Sequence, residues 1–321
     1  MWRSGKQVIT KVAIVAIVTV SLFLASDILM PQSASAYPFW AQQTAPDTPR
    51  EATGRIVCAN CHLAEKAAEI EIPHSILPNK VFDAVVKMPY DREVQEVMGD
   101  GSKGDLQVGA VLMLPEGFKI APEERIPEEL KEKVDGLFYQ QYRQDDENVY
   151  IVGPLPGKEY AEEIHFPILS PDPNSDKNIN FGKYAVHLGV NLGRGQTYPT
   201  GDLTNNNQFK ATAAGTITSI NNLEFGGYEV TINTGDDTVV ETIPAGVELV
   251  VSVGQEIAVG EALSNDPNVG GFGQKDTEIV LQSSTRIGWM VAFVSAIMLA
   301  QMFLVLKKKQ VERVQAAEMN F

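Results

Sequence analysis

The sequence predicts a mainly β protein, with a large β-sandwich, a small domain inserted into it and one C-terminal transmembrane helix. Three observations predict this. Glycine and proline, 26 and 18 of them in 321 residues, punctuate the chain at short intervals, which leaves little room for long soluble helices. The apolar runs between them are short and rich in valine, tyrosine and phenylalanine, as at residues 81–86, 108–114, 149–152 and 184–188, the composition of strands. One stretch near the C-terminus, residues 287–306, is 20 residues long and carries no charge.

The chain opens with Arg3, Lys6 and Lys11, then an apolar run over residues 12–25, then Ala34-Ser35-Ala36. This order predicts a secretory signal peptide over residues 1–36, cleaved after Ala36. An uncleaved anchor is the alternative, but the apolar run is short for a membrane span. The mature chain then begins at Tyr37.

Residues 37–204 and 268–286 form the predicted large domain. Helical signal there is confined to residues 56–69, to 91–98 and to 127–134, so strands closing over one core are expected. The polar stretches Thr204-Asn205-Asn206-Asn207 and Asn265-Asp266-Pro267-Asn268 bound the predicted small domain, residues 205–267. Turn signals fall inside it at Gly226-Gly227, Gly235-Asp236-Asp237 and Pro244-Ala245-Gly246. Its segment 246–263, with Val253-Gly254-Gln255 and Val259-Gly260-Glu261, is similar to the closing turns of lipoyl or biotinyl domains. It lacks the lysine those domains modify, so a small lipoyl-like sandwich fold is implied and a carrier role is not.

Residues 287–306, at ~1.5 Å each, extend about 30 Å, the thickness of a bilayer hydrocarbon core. Arg286 precedes them and Lys307-Lys308-Lys309 follows. The positive-inside rule therefore places the tail 307–321 on the side of synthesis and exports residues 37–286.

Charge narrows the partners. Against 26 basic residues stand 41 acidic ones, a net charge of -15, so no nucleic acid is expected to bind. Residues 37–286 carry 19 basic and 38 acidic residues. In the small domain Lys210 alone faces nine acids: Glu224, Glu229, Asp236, Asp237, Glu241, Glu248, Glu256, Glu261 and Asp266. Such a field steers a positively charged soluble partner.

The motif with specific chemistry is Cys58-Ala59-Asn60-Cys61-His62, which uses both cysteines of the chain. C-x-x-C-H reads as a c-type haem attachment site. Thiols three residues apart on a helical turn can each reach one haem vinyl group, and the next residue presents an imidazole to the iron. A thiol-disulfide enzyme, a zinc site and a structural disulfide are the alternatives. The first lacks a thioredoxin-like βαβ context, the second lacks a further ligand pair, and the third leaves His62 unexplained. For the other axial position Met88, Met98, Met113, His74, His165 and His187 are available, and spacing does not choose among them.

Several segments together resemble the cytochrome f family. They are Tyr37-Pro38-Phe39-Trp40-Ala41-Gln42, the haem motif, Val111-Leu112-Met113-Leu114-Pro115-Glu116-Gly117-Phe118, Gly153-Pro154-Leu155-Pro156-Gly157 and Gly193-Arg194-Gly195-Gln196. The resemblance runs from the signal to the anchor. It implies one haem c, covalently held by Cys58 and Cys61, with His62 and the α-amino nitrogen of Tyr37 as axial ligands. An α-amine has a reference pKa of about 8, so its neutral form is accessible to a competing metal. The resemblance further implies shielding of the haem by Trp40, Pro154 and Pro199, and a buried water chain with Asn191, Gln196 and Asn206 as the matching positions.

The implied function is electron transport in photosynthesis, without catalytic residues. A Rieske iron-sulfur protein would donate the electron, and plastocyanin or a soluble cytochrome c would accept it. Cytochrome b and the other subunits of the cytochrome bf complex are the implied membrane partners. The implied location is the thylakoid membrane, with the haem domains in the lumen. The loop Gly101-Ser102-Lys103-Gly104 has a single lysine, so the chain resembles the cyanobacterial branch, and plant-style docking through a lysine patch is not expected. A membrane-anchored adaptor with a C-x-x-C staple and an exported thiol-disulfide enzyme are the rival functions.

Overall fold

The computed structural model describes residues 39–319. Residues 1–36 and Tyr37 lie outside the described residues. In chain order the first strands are β1 Glu69–Glu71, β2 Ser75–Ile76, β3 Val81–Lys87, β4 Gln95–Val97, β5 Lys103–Asp105, β6 Gln107–Met113 and β7 Lys119–Ile120. Then come β8 Gln140–Gln141, β9 Val149–Pro156, β10 Ile164–Leu169 and β11 Gly182–Leu192. β12 Gly215–Asn222, β13 Tyr228–Asn233, β14 Thr238–Ile243 and β15 Glu256–Ile257 follow, and β16 Gly271–Leu281 returns to the first group. The helices are α1 Phe39–Thr44, α2 Glu128–Val134, α3 Gly157–Tyr160 and α4 Ser284–Glu318.

Two sheets face each other. One has the order β1-β3-β10-β7 and the other β2-β16-β11-β6-β9-β8. β3 alternates buried and half-buried residues, as a strand with one face in a core must. Between the sheets lie Phe82, Ala84, Val86, Leu112, Phe118, Phe166, Ile168, Leu188 and Val190. β11 organises the larger sheet. It pairs along its whole length with β16, from Gly182↔Leu281 to Leu192↔Gly271, and its second half pairs with β6. Gly193 extends this ladder by donating its backbone N–H to Gln107 O at 2.7 Å, which delivers the next residues, 194–197, to one end of the sandwich.

The second hydrophobic core is separate and is built from Ala211, Ile217, Val230, Ile232, Ile243, Val247, Ile257 and Leu263. Its sheet has the order β14-β13-β12-β15, and the bridges Lys210↔Ala262 and Leu249↔Ser264 join the segments that cover it. The β4–β5 hairpin meets this unit at Gly246. There φ is 89°, and a Cβ would lie 2.4 Å from Val97 and 2.7 Å from the Gly101 Cα, so only glycine permits the approach.

Residues 56–69 do not form the helix that their pattern predicts. Only Val57–Asn60 turns, as a 3-10 helix. The chain then extends, because Glu65 bridges Phe272 and Lys66 donates to Phe272 O at 2.8 Å. The charged stretch 91–98 likewise yields a strand, since Gln95–Val97 pairs with Lys103–Asp105. α2 forms where helix is expected.

α4 starts at Ser283, whose side chain accepts the Arg286 N–H at 3.3 Å. The cap satisfies one of the helix's unpaired donors. The helix covers the uncharged stretch 287–306 and continues through the lysines to Glu318, with no buried residue along its length. It is long and apolar enough to cross a membrane.

Candidate haem site

The C-x-x-C-H motif sits on a turn held from below. Ile56, 1% exposed, packs with Val111, Met113, Tyr142, Val149, Ile151 and Phe272, and Cys58 and Ala59 rest on the same cluster. Ile56 also donates its N–H to Gln274 Oε1 at 3.2 Å. Ala59 N donates to Ile56 O at 3.1 Å, Cys61 N to Cys58 O at 3.2 Å, and His62 N to Cys58 O at 3.1 Å. These bonds make the turn tight, and positions i and i+3 of such a turn share one side.

Both cysteines are free thiols. Burial pushes the Cys58 thiol up to about 12, and the neighbouring Cys61 adds to the rise. The Cys61 thiol is also raised by burial, against a hydrogen bond from Thr197. Both stay protonated at neutral pH, the opposite of an activated redox dithiol, where the thiolate is stabilised. His62 is 5% exposed, and burial lowers its pKa to about 4, which leaves a neutral imidazole, the form that binds metals. Its Nδ1 is buried without a hydrogen-bond partner.

The segment after β11 closes over the motif. Gln196 N donates to Cys61 O at 2.7 Å, Leu63 N donates to Gln196 Oε1 at 2.7 Å, and Thr197 Oγ1 donates to Asn60 O at 2.9 Å. Gly195 lies so close that a Cβ there would be 3.1 Å from both the Cys61 Cβ and the Cys61 carbonyl oxygen. On the other side, α1 is pinned by Tyr142, whose hydroxyl lies 2.9 Å from Ala41 O and 2.6 Å from Ala45 O.

Beneath this loop is a buried polar group. Glu96 and Arg194 are 1% and 4% exposed. Glu96 Oε2 accepts the Arg194 backbone N–H at 2.5 Å. Arg194 Nη1 donates to Val97 O and to Asn205 Oδ1, both at 2.6 Å. Asn205 Nδ2 in turn donates to Met98 O at 2.8 Å and to Ala245 O at 2.9 Å. Burial pushes the Glu96 carboxyl up to about 7, against the lowering effect of the Arg194 and Gln107 N–H groups and the Arg194 charge. A cavity of about 10 Å³ is lined by Glu96, Gln107, Asn191 and Arg194 among others, room for roughly one water.

Asn191, Gln196 and Asn206, the amides matched to a water chain, are all buried. Gln196 and Asn206 both donate to Arg194 O, at 3.3 and 2.8 Å. Trp40, Pro154 and Pro199 are half-buried.

The other axial candidates separate by surroundings. His74 is exposed. His165 Nδ1 lies 2.7 Å from Asp83 and its Nε2 3.1 Å from Glu163. His187 Nδ1 lies 2.8 Å from Asp276. Met88 belongs to the sandwich core, and the Met98 sulfur packs where a Gly104 side chain would point. Met113 lies in the cluster under the motif.

Two half-buried free thiols at i and i+3, a neutral buried histidine next to them and its unpartnered ring nitrogen together fit a c-type haem. Among the described residues no group of three or more His, Cys, Asp and Glu side chains is arranged to hold a metal ion. Glu96 and Tyr142 escaped the sequence reading. Glu96 stands among other acids, and Tyr142 carries the weak signal of an aromatic in the polar run Gln140-Gln141-Tyr142-Arg143-Gln144.

Comparison with known proteins agrees with this geometry. The family model described as apocytochrome F, N-terminal, matches residues 37–193, and that described as apocytochrome F, C-terminal, matches residues 205–321. The chain is 66% identical to a cytochrome f of Rippkaea orientalis, over 100% of this chain and 98% of that protein. It is 69% identical to a cytochrome f of Picosynechococcus, over 95% of this chain and 93% of the other. To a cytochrome f of Synechocystis it is 64% identical, over 100% and 98%. With both family models matched and the likeness running the full length, the chain belongs to the cytochrome f family, c-type haem proteins that transfer electrons as membrane-anchored subunits of the photosynthetic cytochrome bf complex.

Proposed function

We propose that the chain carries one electron at a time from a Rieske iron-sulfur protein to plastocyanin or a soluble cytochrome c. Its seat is the thylakoid membrane, with residues 37–286 in the lumen and 307–321 on the cytoplasmic side. Cytochrome b and the other subunits of the bf complex are its membrane partners. The carrying observation is the motif turn, with two half-buried free thiols and a buried imidazole whose Nδ1 has no partner.

On this reading Cys58 and Cys61 hold one haem c through thioether bonds. Their free thiols would be the attachment points for its two vinyl groups, an addition that would need no oxidant. His62 and the α-amino nitrogen of Tyr37 bind the iron. When bound, the haem supplies an iron that alternates between the ferrous and ferric states. The residues of the turn hold it and exclude water; none acts as nucleophile or general base, so the chain is not an enzyme by itself. Residues 37–204 and 268–286 form the haem domain and 205–267 the inserted domain, each with a core of its own as support.

The test is covalent haem retention. Cys58→Ser and Cys61→Ser should each reduce or abolish haem staining after denaturing electrophoresis, and the double variant should abolish it. A fully stained double variant overturns the proposal.

A further inference from the structure

The sandwich core and the core within residues 211–263 are separate, and two units joined without a large apolar interface move relative to each other unless something fixes them. The chain passes between them twice, outward at Thr204-Asn205-Asn206-Asn207 and back at Asn265-Asp266-Pro267-Asn268. Asn205 stands on the outward crossing and is 7% exposed. Its Oδ1 accepts from Arg194 Nη1 at 2.6 Å. Its Nδ2 donates to Met98 O at 2.8 Å, in the turn between β4 and β5, and to Ala245 O at 2.9 Å, between β14 and β15. Both amide hydrogens and the oxygen are thus engaged. The surfaces close tightly around them: a Cβ on Gly101 would lie 2.7 Å from the Ala245 Cβ and 2.8 Å from Gly246 N. Arg194 leads directly into residues 195–197, which hydrogen-bond Cys61 O and Asn60 O. One side chain therefore joins the β4–β5 hairpin, the small unit and the segment that closes over the haem motif.

The small unit also carries the charge that an incoming cation would meet. Glu224, Asp236, Asp237, Glu248, Glu256, Glu261 and Asp266 are exposed on it. A field raises the productive encounter rate only when its charges are held in a fixed place relative to the reacting centre. We infer that Asn205 is a positioning residue for electron exchange, fixing the acidic unit against the β4–β5 hairpin and against the segment over the haem motif. The inference rests on the proposed exchange of electrons with a soluble partner.

The experiment uses the full, haem-loaded chain with spin labels on Glu124→Cys and Val240→Cys, exposed positions of the two units, and reads the distance distribution between them. Asn205→Asp keeps an acceptor for Arg194 and removes the donor to Met98 O and Ala245 O. Gly101→Ala drives a methyl group into the same contact from the other side. Each should broaden the distribution about twofold and lower the second-order rate of electron transfer to a basic cytochrome c about two- to fivefold at low salt. The haem spectrum should stay unchanged, and parent and variant rates should converge at high salt. The negative charge added in Asn205→Asp would by itself speed a cationic acceptor, so a slower rate reports lost position. Ser219→Ala is the control. Ser219 Oγ donates to Thr231 Oγ1 at 2.9 Å inside the small sheet, so its loss should move neither readout even where stability falls. A parent-like distribution in Asn205→Asp, an equal broadening in Ser219→Ala, or broadening without a slower rate overturns the inference. Should Asn205→Asp fail to accumulate, Gly101→Ala decides in the same way. The parent separates the two levels. If the reduced parent passes no electron to the basic cytochrome c, the exchange reading falls and the inference with it. If the parent exchanges and the variants match it in rate, only the inference falls.

Discussion

Glu96 is the one fully buried carboxylate among the described residues, and its environment has a consequence for pH. Burial raises its folded-state pKa to about 7 from an ordinary value of 4.5. The folded protein therefore binds a proton that the unfolded chain has released between those two values, and stability falls as pH rises through this window. Glu96→Gln removes the titration and keeps an acceptor for the Arg194 N–H. Relative to the parent, the variant should gain on the order of 1 to 3 kcal/mol between about pH 4.5 and about pH 8. Urea unfolding at the two pH values measures this, and a stability difference independent of pH contradicts it. Gly195 makes a steric prediction. A methyl group there meets Cys61 at 3.1 Å on two atoms, so Gly195→Ala should cost about 1 to 3 kcal/mol and lower haem incorporation. Gly182→Ala, where a Cβ would meet nothing within 4 Å, is the control and should do neither.

Among the elements, α4 is the most independent. It buries no residue against the remainder of the chain, whereas both sheets of the sandwich bury theirs against each other. The helix is long and apolar enough to cross a membrane; Ser283 caps its start, and the lysines after Leu306 mark the end of its uncharged stretch. Truncation before Ser284 should therefore release a water-soluble protein whose haem spectrum matches that of the full chain. Phase partitioning and absorption check this, and a lost or shifted spectrum shows that the helix supports the site. α1 stands at the other extreme, being short and tied to residues 140–142 by the Gln140 and Tyr142 side chains and by Gln42 Nε2, which donates to the Gln141 and Tyr142 carbonyls.

For the molecule as a whole, the net charge is -15. Of the nine acids in residues 205–267, Glu224, Asp236, Asp237, Glu248, Glu256, Glu261 and Asp266 are exposed, while Lys210 is the single cation there. Exposed charge acts over ~8 to 10 Å at physiological ionic strength and mainly alters association rate. Replacing Glu224, Asp236, Asp237 and Glu248 with their amides should lower the second-order rate of electron transfer to a basic plastocyanin, roughly two- to tenfold at low salt, with the haem spectrum unchanged. Added salt should slow the parent more than the variant. A rate that rises with salt, or one indifferent to the four substitutions, removes this steering role.

Much of this was legible in one dimension. Runs such as 81–86 and 184–188 became β3 and β11 because period and composition encode a strand with a buried face. The uncharged stretch 287–306 became a helix because a bilayer-length apolar run has no other way to satisfy its backbone. The motif 58–62 could be read as a haem-attachment sequence because the spacing of thiols and imidazole is local. Other features depended on partners far along the chain. Residues 56–69 and 91–98 have helical patterns, yet pairing with Phe272 and with β5 draws them into extended structure, since tertiary hydrogen bonds outweigh weak local propensity. Glu96 is separated from Arg194 by 98 positions, and Tyr142 from Ala41 by 101. Composition and spacing decided the strands, the membrane helix and the haem motif; only the packed fold decided which polar side chains are buried and paired, because burial is a property of neighbours in space and not in sequence.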